Sequence, residues 1–100
     1  MKLYALVIAF FLSTPSFAAE VAIEMLNKDA NGNKMVFSQE VVKVEISDTV
    51  TWLPSSKGHN VEMISSPNKM KFKSKNGKEA KITFNTPGIS YYWCTPHKGM

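Results

Sequence analysis

From residue 20 onward, apolar and polar positions alternate in short stretches separated by turn-forming residues. Residues 21–26 put Val21, Ile23 and Met25 on one side and Ala22 and Glu24 on the other, the period of two of a half-buried strand. Asp29, Asn31 and Gly32 then mark a turn, and Met35, Val36 and Phe37 make a brief extended piece. Residues 41–46 alternate again, with Val42, Val44 and Ile46 against Lys43 and Glu45, which predicts another strand. Ser47-Asp48 turns the chain into residues 49–53, where Thr49, Val50, Thr51 and Trp52 supply the β-branched and aromatic side chains that strands favour. Residues 54–58 form a loop that delivers His59, and residues 61–64 extend beyond it. A short strand or a helical turn fits residues 69–73, Asn76-Gly77 is a turn, and residues 79–84 alternate once more. Thr86-Pro87-Gly88 leads into residues 89–93, a strand that ends at Cys94. No stretch keeps a helical period for three turns. The pattern predicts one all-β domain, an antiparallel β-sandwich or small barrel.

The first 18 residues follow a different rule. Lys2 opens an apolar run over residues 3–12, Ser13-Thr14-Pro15 breaks it, and Ser16-Phe17-Ala18 offers the small residues that a signal peptidase reads. The run is about half of the ~20 residues that a membrane span needs. Residues 1–18 therefore read as a signal peptide cleaved after Ala18, with Ala19 as second choice, and residues 19–100 as an exported domain whose natural home is the periplasm.

Export changes the meaning of the charge and of the cysteine. The chain carries a formal +4, and all of its basic residues are lysines. An exported chain without arginine does not suit nucleic acid. Lys69, Lys71, Lys73, Lys75, Lys78 and Lys81 concentrate in one segment. They read either as a solvated face with a charged edge that discourages aggregation, or as steering toward an acidic partner. A single cysteine in an oxidising compartment has no internal disulfide partner, so it is buried and inert or held by a metal.

The surroundings of that cysteine decide which chemistries stay open. Cys94, His97 and Met100 stand three residues apart in turn on one short loop, and His59 is the one other histidine of the chain. Thiolate, two imidazoles and a thioether form the trigonal His₂Cys set with a weak axial Met that suits copper electron transfer. A sandwich gathers its loops at one end, which gives His59 a route to the other three. Pro96 stiffens the loop and biases Thr95 toward an extended conformation. Zinc competes for two His and one Cys, although the thioether selects a softer metal. Nucleophilic Cys/His catalysis stays open on residue types, with no acid or amide obviously placed to orient His97. The Cys-x-x-Cys-His signature of a c-type haem is absent.

Taken together, Met25-Leu26-Asn27-Lys28, Met35-Val36-Phe37, Asp48-Thr49-Val50-Thr51, Lys57-Gly58-His59-Asn60-Val61-Glu62, Lys71-Phe72-Lys73-Ser74-Lys75 and Cys94-Thr95-Pro96-His97-Lys98-Gly99-Met100 resemble the cupredoxins, and among them the pseudoazurins. The resemblance covers residues 20–100. It implies a cupredoxin-like antiparallel Greek-key β-sandwich and a periplasmic type 1 blue copper protein, a carrier of single electrons and not an enzyme. It makes His59, Cys94 and His97 the strong ligands of one copper ion that cycles between Cu(I) and Cu(II). Asn60 would tie two loops together, Met35 would pack near His97, and His97 would be the electron exit, ringed by surface lysines. The implied partners are copper nitrite reductase, nitrous oxide reductase and c-type cytochromes, met by a monomer that binds neither membrane nor nucleic acid. A periplasmic copper-binding or copper-delivery protein is the alternative.

Two positions depart from the family. Ser47 stands where a glycine usually precedes Asp-Thr-Val. Met100 has the spacing Cys-x₂-His-x₂-Met, whereas pseudoazurins place the axial methionine two residues further on and continue into a last strand and two helices. The resemblance thus predicts a fragment of a longer protein, with Met100 as the axial donor in hand and the family's axial Met just beyond it.

Overall fold

Alternation becomes strand pairing in a computed structural model that describes residues 18–100. The expected signal peptide, Ala18 apart, lies outside the described residues. Six strands follow in order: β1 (Glu20–Lys28), β2 (Lys34–Phe37), β3 (Thr49–Leu53), β4 (Glu62–Ser65), β5 (Ala80–Thr83) and β6 (Tyr91–Trp93). They form a four-stranded sheet in the order β2-β1-β3-β5 and a two-stranded sheet of β4 and β6. No helix appears among the described residues, as the sequence pattern predicts. Pairing is antiparallel in three of the four ladders, while β1 and β3 run parallel from Glu20↔Thr49 to Glu24↔Leu53.

The core faces follow the alternation. Ile23 and Met25 of β1, Val50 and Trp52 of β3, and Ala80 and Ile82 of β5 point inward and are buried. They meet Val61, Met63 and Cys94 from the other sheet and its flanks. Burying side chains of this size contributes about 1.5–3 kcal/mol each for the larger ones. Tyr92 of β6 bridges the layers, its ring edge-on to Phe37 at 4.9 Å and to Trp52 at 5.1 Å.

Residues 41–46 are the main departure, because they do not form a strand. Val42 and Val44 pack against the core as the alternation implies, but Ile46 is exposed and Val41 is 86% exposed. Within this segment the Glu45 N–H turns to the Asp48 carboxylate at 2.8 Å instead of a neighbouring strand. The residues 69–73 form neither helix nor regular strand. One bridge joins Lys73 to Glu62, and Phe72 and Val61 carbonyls accept the N–H groups of Met63 and Ser74 at 2.8 Å. That lateral support continues β4 outward and steadies the residues that follow His59.

Candidate metal centre

Two loops at one end of the sandwich carry the chemistry. Gly58 has φ +86°, a left-handed conformation costly to a residue with a Cβ. It ends the loop after β3 and turns His59 inward, where the side chain is fully buried. The Gly77 N–H, donating to the His59 carbonyl at 2.9 Å, fixes that backbone from the neighbouring turn. Cys94 is the residue immediately after β6 and is also fully buried. Two tight turns follow it. The His97 N–H donates to the Cys94 carbonyl at 3.1 Å, and the Met100 N–H to the His97 carbonyl at 2.9 Å.

These loops place Cys94 Sγ 3.7 Å from His59 Nδ1 and 3.6 Å from His97 Nδ1. The ligand atoms of the three residues lie within 4.8 Å of one another. A metal held by imidazole and thiolate at bonds of about 2.0–2.3 Å, with angles between tetrahedral and trigonal, spreads such donors about 3.6–3.8 Å apart. The spacing fits one ion held by both Nδ1 atoms and the sulfur. The two rings are 4.9 Å apart and tilted by 53°, both addressing the sulfur instead of stacking.

A residue that the sequence did not single out for this task fixes the first ring. His59 Nε2 lies 2.6 Å from the Asn27 side-chain carbonyl. That acceptor requires the proton on Nε2 and leaves the Nδ1 lone pair aimed at the site, the usual arrangement of an oriented metal ligand. Burial, and then the neighbouring His97, hold the His59 pKa below its ordinary value. A neutral imidazole is the form that binds a metal.

A polar clamp joins the two loops. Asn60 Oδ1 accepts the Thr95 N–H at 2.7 Å, and Asn60 Nδ2 donates to Thr95 Oγ1 at 2.9 Å and to the Ser74 carbonyl at 3.1 Å. Ser74 Oγ accepts the Val61 N–H at 2.8 Å. One turn outward, Glu62 Oε1 receives Trp93 Nε1–H at 2.7 Å and Thr95 Oγ1–H at 3.0 Å. The Trp93 and Thr95 bonds, followed by Lys73 and Lys98, hold the Glu62 pKa below its ordinary value. Residues 60 and 62 thus grip residues 93 and 95 across the β4–β6 pair.

The sequence-predicted set therefore divides in two. His59, Cys94 and His97 converge in one place. Met100 lies on the same turn, with its side chain partly buried against the core. Asn60 joins the two loops. Met35 is 37% exposed with φ 51°, and the β1–β2 register sets it opposite Asn27. The sequence puts Asn27 at a turn and Glu62 in an extended stretch, and names both in the motifs of the resemblance without giving either a role at the site. Their roles depend on which loop lies across from them, a fact of topology and not of local pattern.

The chain matches the model of the copper-binding proteins of the plastocyanin/azurin family over residues 23–100. The chain belongs to the copper-binding plastocyanin/azurin family. Its relatives include a pseudoazurin of Paracoccus pantotrophus, 40% identical over 92 residues, which cover 89% of this chain and 63% of that one. A pseudoazurin of Methylorubrum extorquens is 38% identical over 98 residues, 95% of this chain and 66% of that one. Among solved structures, native pseudoazurin from Hyphomicrobium denitrificans superposes with a TM-score of 0.74 at 37% identity, covering 78% of this chain and 65% of that chain. The chain thus spans just under two thirds of the length of these relatives, and over that span its fold is theirs.

Proposed function

We propose that this chain is a type 1 copper protein that shuttles single electrons in the periplasm, a carrier between a c-type cytochrome and a copper nitrite or nitrous oxide reductase. His59, Cys94 and His97 hold the copper, and the axial donor is Met100 or a methionine just beyond it. The observation that carries this reading is a buried cysteine sulfur flanked by two Nδ1 atoms at 3.6 and 3.7 Å. Such a donor set supports copper electron transfer, and bound copper supplies the reversible one-electron change.

The chain's own residues do the rest. Asn27 and Asn60 hold the ligands in one geometry, so little rearrangement accompanies a change of oxidation state. His97 is half-buried, in contrast to the fully buried His59, which makes it the electron exit. Lysines stand around this end. Lys98 lies 4.9 Å over the Trp93 ring, and Lys73 and Lys75 border a cleft shared with Thr95 and Pro96. Residues 1–18 act as the export signal, and no helix among the described residues is long and apolar enough to cross a membrane.

Stopped-flow mixing of the copper-loaded protein with a reduced c-type cytochrome tests the reading. Single-electron transfer that slows as ionic strength rises is expected, because salt screens steering by exposed lysines. Salt-independent rates would leave the lysines as a solvated face. A colourless protein that holds Cu(I) and surrenders it readily to a chelator would instead be a copper-delivery protein.

A further inference from the structure

A second built feature lies beside the start of the first strand. Asp48 is only 7% exposed, and no sequence feature assigns its carboxylate a function. Its Oδ2 accepts the Glu45 N–H at 2.8 Å, which shapes the turn before β3. Its Oδ1 reaches across the sheet to the Ala19 nitrogen, also at 2.8 Å. Ala19 is held from its other side too, since its carbonyl accepts the Thr49 N–H at 3.0 Å. Directly after it, Glu20 begins the parallel ladder opposite Thr49. Ala18 and Ala19 are both exposed, and β1 begins directly after them at Glu20.

We propose that the mature chain begins at Ala19 and that Asp48 is the receptor for its α-ammonium group. This rests on the export reading above, cleavage after Ala18 included, and goes beyond it by naming what receives the new terminus. Hydrolysis of the Ala18–Ala19 peptide bond by a small-residue-specific signal peptidase consumes one water. It leaves a carboxylate on Ala18 and an ammonium on Ala19. The nitrogen already paired with Asp48 then carries a full positive charge, and a hydrogen bond from a neutral amide to the carboxylate becomes an ion pair with a carboxylate largely removed from solvent. Cutting one residue later would remove the Ala19 donor and leave Oδ1 without it. The hydrogen bonds from Ala19 and Glu45 hold the Asp48 pKa below its ordinary value, so the receptor is ionised when the terminus forms. Processing thereby strengthens the fold, because the charge that reinforces the Asp48 contact exists only after the leader is gone.

The test begins with amino-terminal sequencing of the protein isolated from its own source. A start at Ala19 is the expected result. A processed chain that starts at Glu20, or anywhere else, overturns this proposal and leaves the export reading standing; retention of Met1 overturns both. A second measurement compares thermal midpoints of the chain with a free and with an acetylated Ala19, each with Asp48 and with Asp48→Asn. Acetylation keeps the N–H donor and removes only the charge. The free terminus should melt higher with Asp48, and this advantage should vanish with Asp48→Asn. Should Asp48→Asn fail to fold, equal midpoints for the free and acetylated chains on the Asp48 background would still overturn the assignment.

Discussion

The ligand loops and residues 41–47 both lack regular secondary structure, and they behave in opposite ways. The ligand loops at His59 and at residues 94–100 depend on side-chain hydrogen bonds that cross from one loop to the other. Thr95, for instance, is held through both its N–H and its hydroxyl by Asn60. Residues 41–47 have the better strand pattern but fewer bonds. Val41 and Ile46 are exposed there, and Ser47 adopts φ 78°. Apolar alternation alone did not make that segment a strand, whereas one buried amide ties the ligand loops together. Outside strands, order follows the destination of the backbone N–H and C=O groups.

If this contrast is right, substitutions at the two ends should differ in size. Asn60→Ala removes three bonds and leaves the Thr95 N–H without its acceptor, so it should cost about 2–3 kcal/mol. Chemical denaturation of the metal-free protein reads that cost directly, and an unchanged midpoint would mean that the clamp does not hold the loops.

Acid should act mainly through the ordered turns. The pKa values of Asp48, Asp29 and Glu62 are lowered, by hydrogen bonds from Ala19 and Glu45, from Asn33, and from Trp93 and Thr95 respectively. A carboxylate with a depressed folded pKa binds its proton less readily than in the unfolded chain. Its stabilisation is therefore present above the ordinary carboxylate range and is lost as pH falls through the folded value. Stability should hold near neutrality and fall steeply below about pH 4. Asp48→Asn should flatten part of that fall, and an acid limb unchanged by this substitution would remove Asp48 from the account.

Residues 41–47 offer smaller effects of the opposite sign. Ser47→Gly relieves a left-handed serine and should stabilise by about 1 kcal/mol, net of glycine's entropy cost. A thermal midpoint that falls would show that Ser47 makes a compensating contact. At Val41, 86% exposed, a change to lysine should stay within about 0.5 kcal/mol either way. A larger loss in differential scanning calorimetry would show that this residue is covered in solution.

The same contrast explains how far the sequence could be read. Strand β3 was legible to the residue, because Thr49, Val50, Thr51 and Trp52 combine strand propensity with alternation. The metal centre was legible because one cysteine and two histidines leave few ways to build a soft-metal site. Residues 41–46 misled, since alternation records which side chains prefer burial and not whether a partner strand is alongside. The parallel pairing of β1 with β3 was hidden for the same reason. The roles of Asn27 and Glu62 were hidden because an asparagine at a turn and a glutamate in an extended stretch look ordinary until the fold brings His59 and Trp93 to them.

The central claim is that His59, Cys94 and His97 hold one copper ion through a thiolate. Native mass spectrometry, with the visible spectrum of the same sample, tests it most directly on protein purified from its own source. The account predicts one copper per chain and an intense thiolate-to-copper band that Cys94→Ser abolishes. Zinc, no metal, or a band that survives Cys94→Ser would contradict it.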